Sequence, residues 1–189
     1  MADSPIILGY DPATLKERID EDAATARLEE ISHLRSLQAL NERVTLLRLL
    51  GDVDGAYDTA QAAYRQSRFT GAREDALAAR VRRGSVDLAR GRTEDALRDL
   101  TGCVDEATAH EWSDLAAFAL EERGRAHFEN GDFAEALSDF ERALDELGGP
   151  DSGRERVNEL RMFIRTARDR AERTEQDRYD TTPLPRDDV

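Results

Sequence analysis

The stretch RGRAHFENGDFAEALSDFERAL, Arg123 to Leu144, decides the fold. It sets Gly131-Asp132 between two amphipathic segments. Ala136, Phe140 and Ala143 follow one another at offsets of four and three, which places them on one face of a helix. The two alanines let a second helix approach closely, and Phe140 fills the space between them. Gly124 lies inside the first segment, where glycine costs about 1 kcal/mol relative to alanine. It is read as a point of close contact with the following helix.

The same arrangement occurs twice upstream. Gly51, Gly91 and Gly131 are 40 residues apart. Five residues after each comes Ala56, Ala96 or Ala136, then Ala60, Leu100 or Phe140, then Ala63, Cys103 or Ala143. Seven residues before each stands Val44, Gly84 or Gly124. Five positions in register across three copies define an internal repeat. Each central glycine ends one helix and starts the turn to the next.

These residues resemble the tetratricopeptide repeat family. The third copy carries Leu120, Arg123-Gly124 and His127, then Ala136, Phe140 and Ala143, against a first-helix signature of Trp-x2-Leu-Gly-x2-Tyr. The second copy keeps Gly84, Ala96, Leu100 and Cys103. The first keeps Ala56, Ala60 and Ala63 but has Val44 in the glycine slot. The period departs from the usual value of about 34. The resemblance spans residues 37–173. It implies an all-α chain, an α-solenoid of three helical hairpins with a leading helix and a C-terminal solvating helix.

Domain organisation follows from the breaks. Residues 1–11 are expected to be a flexible N-terminus. Asp11-Pro12 reads as a helix N-cap followed by proline in the first turn, so a leading helix is expected over 12–36. It is either separate from the first repeat helix or continuous with it. The repeat domain covers 37–175, with hairpins pairing 35–50 with 54–68, 73–90 with 94–109 and 114–130 with 134–147. GGPDSG at 148–153 interrupts the pattern, and a closing helix over 154–174 keeps its register. Residues 176–189 lack a helical apolar pattern and read as a disordered tail.

Composition narrows the function classes. Charged residues are 36% of 189 and aromatics 6%, which suits a helical protein rich in surface better than a β-sandwich. A net charge of -14 argues against nucleic acid and anionic membranes, whose binding runs on Lys and Arg. Lys16 is the only lysine. With one cysteine, Cys103, no intrachain disulfide can form. No signal peptide or membrane span is expected, and a cytoplasmic location is.

Catalytic patterns are absent. His33, His110 and His127 have no metal-ligand spacing, and no Ser or Cys stands in a nucleophile context. His127, Cys103 and Trp112 read as packing residues. No enzyme, no cofactor and no metal is expected.

The resemblance implies a concave groove lined by the first helix of each hairpin. The family's groove slots fall on Asn41, Thr45, Arg82, Ser85, Glu122, Arg125, Arg161 and Arg165. Seven arginines outnumber four acids between 154 and 173, so this end is basic on an acidic chain. The arginines either converge on an acidic ligand or pair with neighbouring glutamates. The expected function is a protein–protein interaction module that binds a peptide or helix of a partner, an acidic one where the arginines converge on it. The alternative is a structural protein that associates as a homodimer.

Overall fold

Glycine ends the first helix of every hairpin. Gly51, Gly91 and Gly131 hold φ of +82°, +74° and +86°, a region that glycine enters without a Cβ penalty. The following amides, of Asp52, Arg92 and Asp132, each donate to a carbonyl five residues back, on Leu47, Asp87 and His127, at 2.9 Å. One local geometry therefore recurs at the interval read from the sequence.

The computed structural model describes residues 5–70, 72–148 and 153–181. Strand β1 is Ile7–Tyr10 and β2 is Glu17–Ile19. The helices are α1 Glu21–Ile31, α2 Leu37–Leu49, α3 Val53–Thr70, α4 Arg73–Ala89, α5 Thr93–Ala109, α6 Ser113–Asn130, α7 Phe133–Glu146 and α8 Arg154–Thr181. Each helix packs on its successor from α1 to α8, and α2, α4 and α6 also touch side by side. That is the contact pattern of an α-solenoid. The three hairpins are α2–α3, α4–α5 and α6–α7, and α8 closes the end by burying Leu160, Phe163 and Ala167.

The N-terminal expectation is corrected. The leading helix does not begin at residue 12, and residues 7–10 are not a flexible end. The chain there forms an antiparallel hairpin pairing Ile7 with Ile19 and Tyr10 with Glu17. Asp11 makes a turn rather than a cap: its carboxylate accepts the Ala13 amide at 2.7 Å, and its amide donates to the Lys16 carbonyl at 2.8 Å. The leading helix is α1 alone, capped by Asp20, which accepts the Ala23 amide at 3.0 Å. It is separate from α2, which Ser36 caps through the Ala39 amide at 3.2 Å. At the other end α8 runs past 174 to Thr181. The rest of the expected tail, 182–189, and the break at 149–152 lie outside the described residues.

The glycine-for-contact reading holds in atomic terms. A Cβ on Gly124 would lie 2.7 Å from the Phe140 ring, and one on Gly84 would lie 2.8 Å from Leu100. Both distances are below any real Cβ contact. In the first copy Val44 takes the glycine slot and Ala60 takes the large-residue slot, in one buried cluster with Ala56. The size is exchanged across the interface, and the valine–alanine pair matches the volume of the second copy's glycine–leucine pair.

An ion-pair ladder uses the same period. Arg123 grips Asp139 with two hydrogen bonds of 2.7 and 2.6 Å, and Arg83 pairs with Asp99. Arg43 is the matching residue of the first copy, but position 59 is threonine and the buried Nε of Arg43 has no hydrogen-bond partner among the described residues. Thr59→Asp supplies the missing carboxylate. The expected gain is roughly 1–2 kcal/mol, the worth of a partly exposed charge-assisted pair, read as a higher midpoint in urea denaturation. An unchanged or lower midpoint would show that the Arg43 guanidinium does not adopt the ladder geometry.

Candidate functional site

Helices α2, α4 and α6 lie side by side, and the N-terminal hairpin packs across this face. Its anchor is Glu17. One carboxylate oxygen accepts from Arg48 Nη2 and from Arg125 Nη1, both at 2.8 Å, and the other accepts from Arg48 Nη1 at 3.4 Å. Glu17 and Arg125 side chains are each only 9% exposed. The Arg125 guanidinium lies 5.1 Å from the centre of the Tyr10 ring and 5.0 Å from that of Phe163, so one cation rests beside two aromatic rings. Tyr10 meets Phe163 edge to face at 4.9 Å. Leu15 is buried in the main core, and the Ala13 carbonyl accepts from Arg170 at 3.2 Å.

Glu17, Arg48, Glu121 and Arg125 gather at this junction. Burial works to raise the Glu17 pKa, but Arg125 and the hydrogen bonds from Arg48 win and hold it at about 2. Burial pushes Tyr10 up to about 12. Glu121 is also buried, which raises its pKa; it lies 3.5 Å from both Arg125 and Arg156.

Two cavities flank the Glu17 bridge. One of about 160 Å³ lies among Thr45, Arg82, Ser85, Phe118 and Glu122. The other, of about 450 Å³, runs under the hairpin turn past Lys16, Ser85, Glu122 and Glu129. In the first cavity Arg82 stands over the Phe118 ring at 5.2 Å and donates to the Ala78 carbonyl at 3.2 Å. Among the described residues no carboxylate is within ion-pair distance of it. Its burial lowers its pKa, with Glu122 and Asp75 acting only through space.

The eight residues drawn from the family's slots therefore divide. Thr45, Arg82, Ser85, Glu122 and Arg125 line one cavity. Asn41 is half-buried on α2, with its Oδ1 unpartnered among the described residues. Arg161 and Arg165 are exposed on α8 and line neither cavity. On a helix at about 100° per residue they sit a quarter turn or more away from Leu160, Phe163 and Ala167. Other arginines of α8 do pair, Arg156 with Glu121 and Arg168 with Glu141 at 2.8 Å.

Tyr10 and Glu17 were missed by sequence reasoning. A signal was present in IILGYDPAT, where an apolar run meets Asp-Pro, a turn pair as well as a cap pair. The packing residues behave as read. Cys103 is fully buried, which pushes its thiol up to about 11. Trp112 packs on the main core and stacks on His110 at 4.5 Å.

Fold and face together define a helical-repeat protein whose α2–α4–α6 face is partly covered by its own N-terminus. A family model described as Tetratricopeptide repeat matches residues 117–147, within the α6–α7 hairpin. No curated protein matches the chain. Among the described residues no helix is long and apolar enough to cross a membrane.

Proposed function

We propose that the chain is a non-enzymatic interaction module whose concave face takes a peptide segment or helix of a partner protein. An acidic side chain of that partner seats on Arg82, against the Phe118 ring, with Thr45 and Ser85 beside it. The observation that supports this reading is the state of Arg82. It is a half-buried cation with an aromatic floor, an adjoining cavity and no carboxylate of its own among the described residues. Its neighbours on the same face, Arg48 and Arg125, already hold one. An arginine fork is well matched to a carboxylate.

The test is affinity capture from native lysate with wild type beside Arg82→Gln. The variant loses no ion pair, so its helicity and unfolding midpoint should stay near wild type. A partner held by wild type should bind the variant at least about tenfold more weakly, the loss expected for a charge-assisted hydrogen bond. Equal retention by both proteins would move binding off this cavity.

A further inference from the structure

The hairpin 7–19 packs against α2, α6 and α8 in the manner of a bound ligand. Its contacts with the solenoid are chemically distinct. One carboxylate sits between two arginines. One phenol ring lies against Arg125 and Phe163. Leu15 enters the main core, and Ile19 packs on the cluster of Ala24, Ile31 and Leu46. A two-stranded hairpin is marginal on its own in water, so this one keeps its shape by docking. The docked form is also strained, because Leu15 holds φ at +56° without being glycine. A segment that is unstable alone and strained when bound is drawn from the low-stability end of a fold.

We propose that the surface beneath the hairpin is the larger part of the partner site, and that the partner is an extended segment carrying an aromatic ring and a carboxylate that takes the places of Tyr10 and Glu17. The hairpin is then an intramolecular competitor, held at the high effective concentration that tethering gives. This rests on the reading that the concave face binds a partner. It extends the site from the Arg82 cavity to the Arg48–Arg125 clamp, which opens when the hairpin leaves.

The sequence supplies its own probe. Lys16 is the only lysine, so a lysine-specific endopeptidase cuts the full chain at one bond, Lys16–Glu17. In the docked state that bond adjoins the clamped carboxylate, and the Lys16 carbonyl is held by the Asp11 amide at 2.8 Å. Cleavage therefore reports hairpin release. In wild type the cleavage rate should rise only shallowly with urea, well below the slope for helix unfolding followed by circular dichroism. A slope equal to that of global unfolding would make the hairpin a fixed part of the fold and overturn the proposal.

The second arm is a fluorescent peptide of residues 5–20 carrying Lys16→Arg, added to the full chain. It should bind a Glu17→Gln chain at least tenfold more tightly than wild type, because the resident competitor is weakened. The same peptide carrying Glu17→Gln should bind at least tenfold more weakly than its parent. Equal binding of the two peptides would show that the clamp does not read a carboxylate, and would also overturn the proposal. A partner captured through Arg82 that leaves Lys16 cleavage unchanged would refute this inference while the interaction-module reading stands.

Discussion

Arg125→Met is expected to lower the stability of the chain by about 3–5 kcal/mol, the usual cost of removing one partner from a buried ion pair. The Arg125 side chain is 9% exposed and carries the charge that Glu17 and Glu121 face. Burial works against that charge, but Glu122, Glu121 and Glu17 together more than offset it and hold its pKa above the ordinary value. Methionine keeps the apolar contact with Tyr10 and Phe163 but strands the carboxylates. Pairing the change with Glu17→Leu should recover at least half of the loss, because replacing both partners by apolar residues is often close to neutral. Chemical denaturation of the two variants measures this, and a double variant no better than the single one would contradict it. Acid reports on the same junction. Glu17 is held at about 2 against an ordinary value of 4.5. A depressed carboxylate contributes stability that is complete above the ordinary value and is lost as pH falls toward the folded one. Wild type should therefore weaken between pH 4.5 and 2 through this group, and Glu17→Leu should lack that part of the loss.

The helices α2 to α7 were legible in the sequence because each boundary is written three times. A glycine at one place is ambiguous; glycines at 51, 91 and 131, each followed five residues on by alanine, are not. The N-terminal hairpin had no second copy to correct the reading. Leu15, Ile19, Ala23 and Ala26 fall at helical spacing, but Leu15 belongs to a turn and Ile19 to a strand. Asp11-Pro12 serves either a helix cap or a turn, because in both the aspartate accepts a backbone amide a few residues ahead. The candidate site inherited this gap. Arg82, Ser85 and Arg125 come from the repeat frame and lie together. Their neighbour Glu17 is more than a hundred residues from Arg125 in sequence and outside the frame. Arg161 and Arg165 follow the frame into α8 but stand exposed there.

The clearest test of the repeat packing is to move one copy's solution into another. Position 124 and position 140 face each other as glycine and phenylalanine, whereas the first copy sets Val44 near Ala60. Gly124→Val alone places a Cβ within 2.7 Å of the Phe140 ring. That ring is fully buried and cannot swing into solvent, so overpacking of at least about 3 kcal/mol is expected, the upper part of the usual range. Phe140→Ala alone should cost about 3–5 kcal/mol through lost burial and the cavity left between α6, α7 and α8. The double variant reproduces the valine–alanine pair of the first copy. It should be more stable than the sum of the two losses predicts, by about 2–3 kcal/mol, because valine enters the space the ring vacates and the clash is gone. It should still fall short of wild type, since Phe140 also meets Phe163 of the closing helix at 5.3 Å, a contact that alanine cannot make. Additive losses in this cycle would mean that α6 and α7 separate instead of interlocking, and the glycine at 124 would then need a different explanation from close approach.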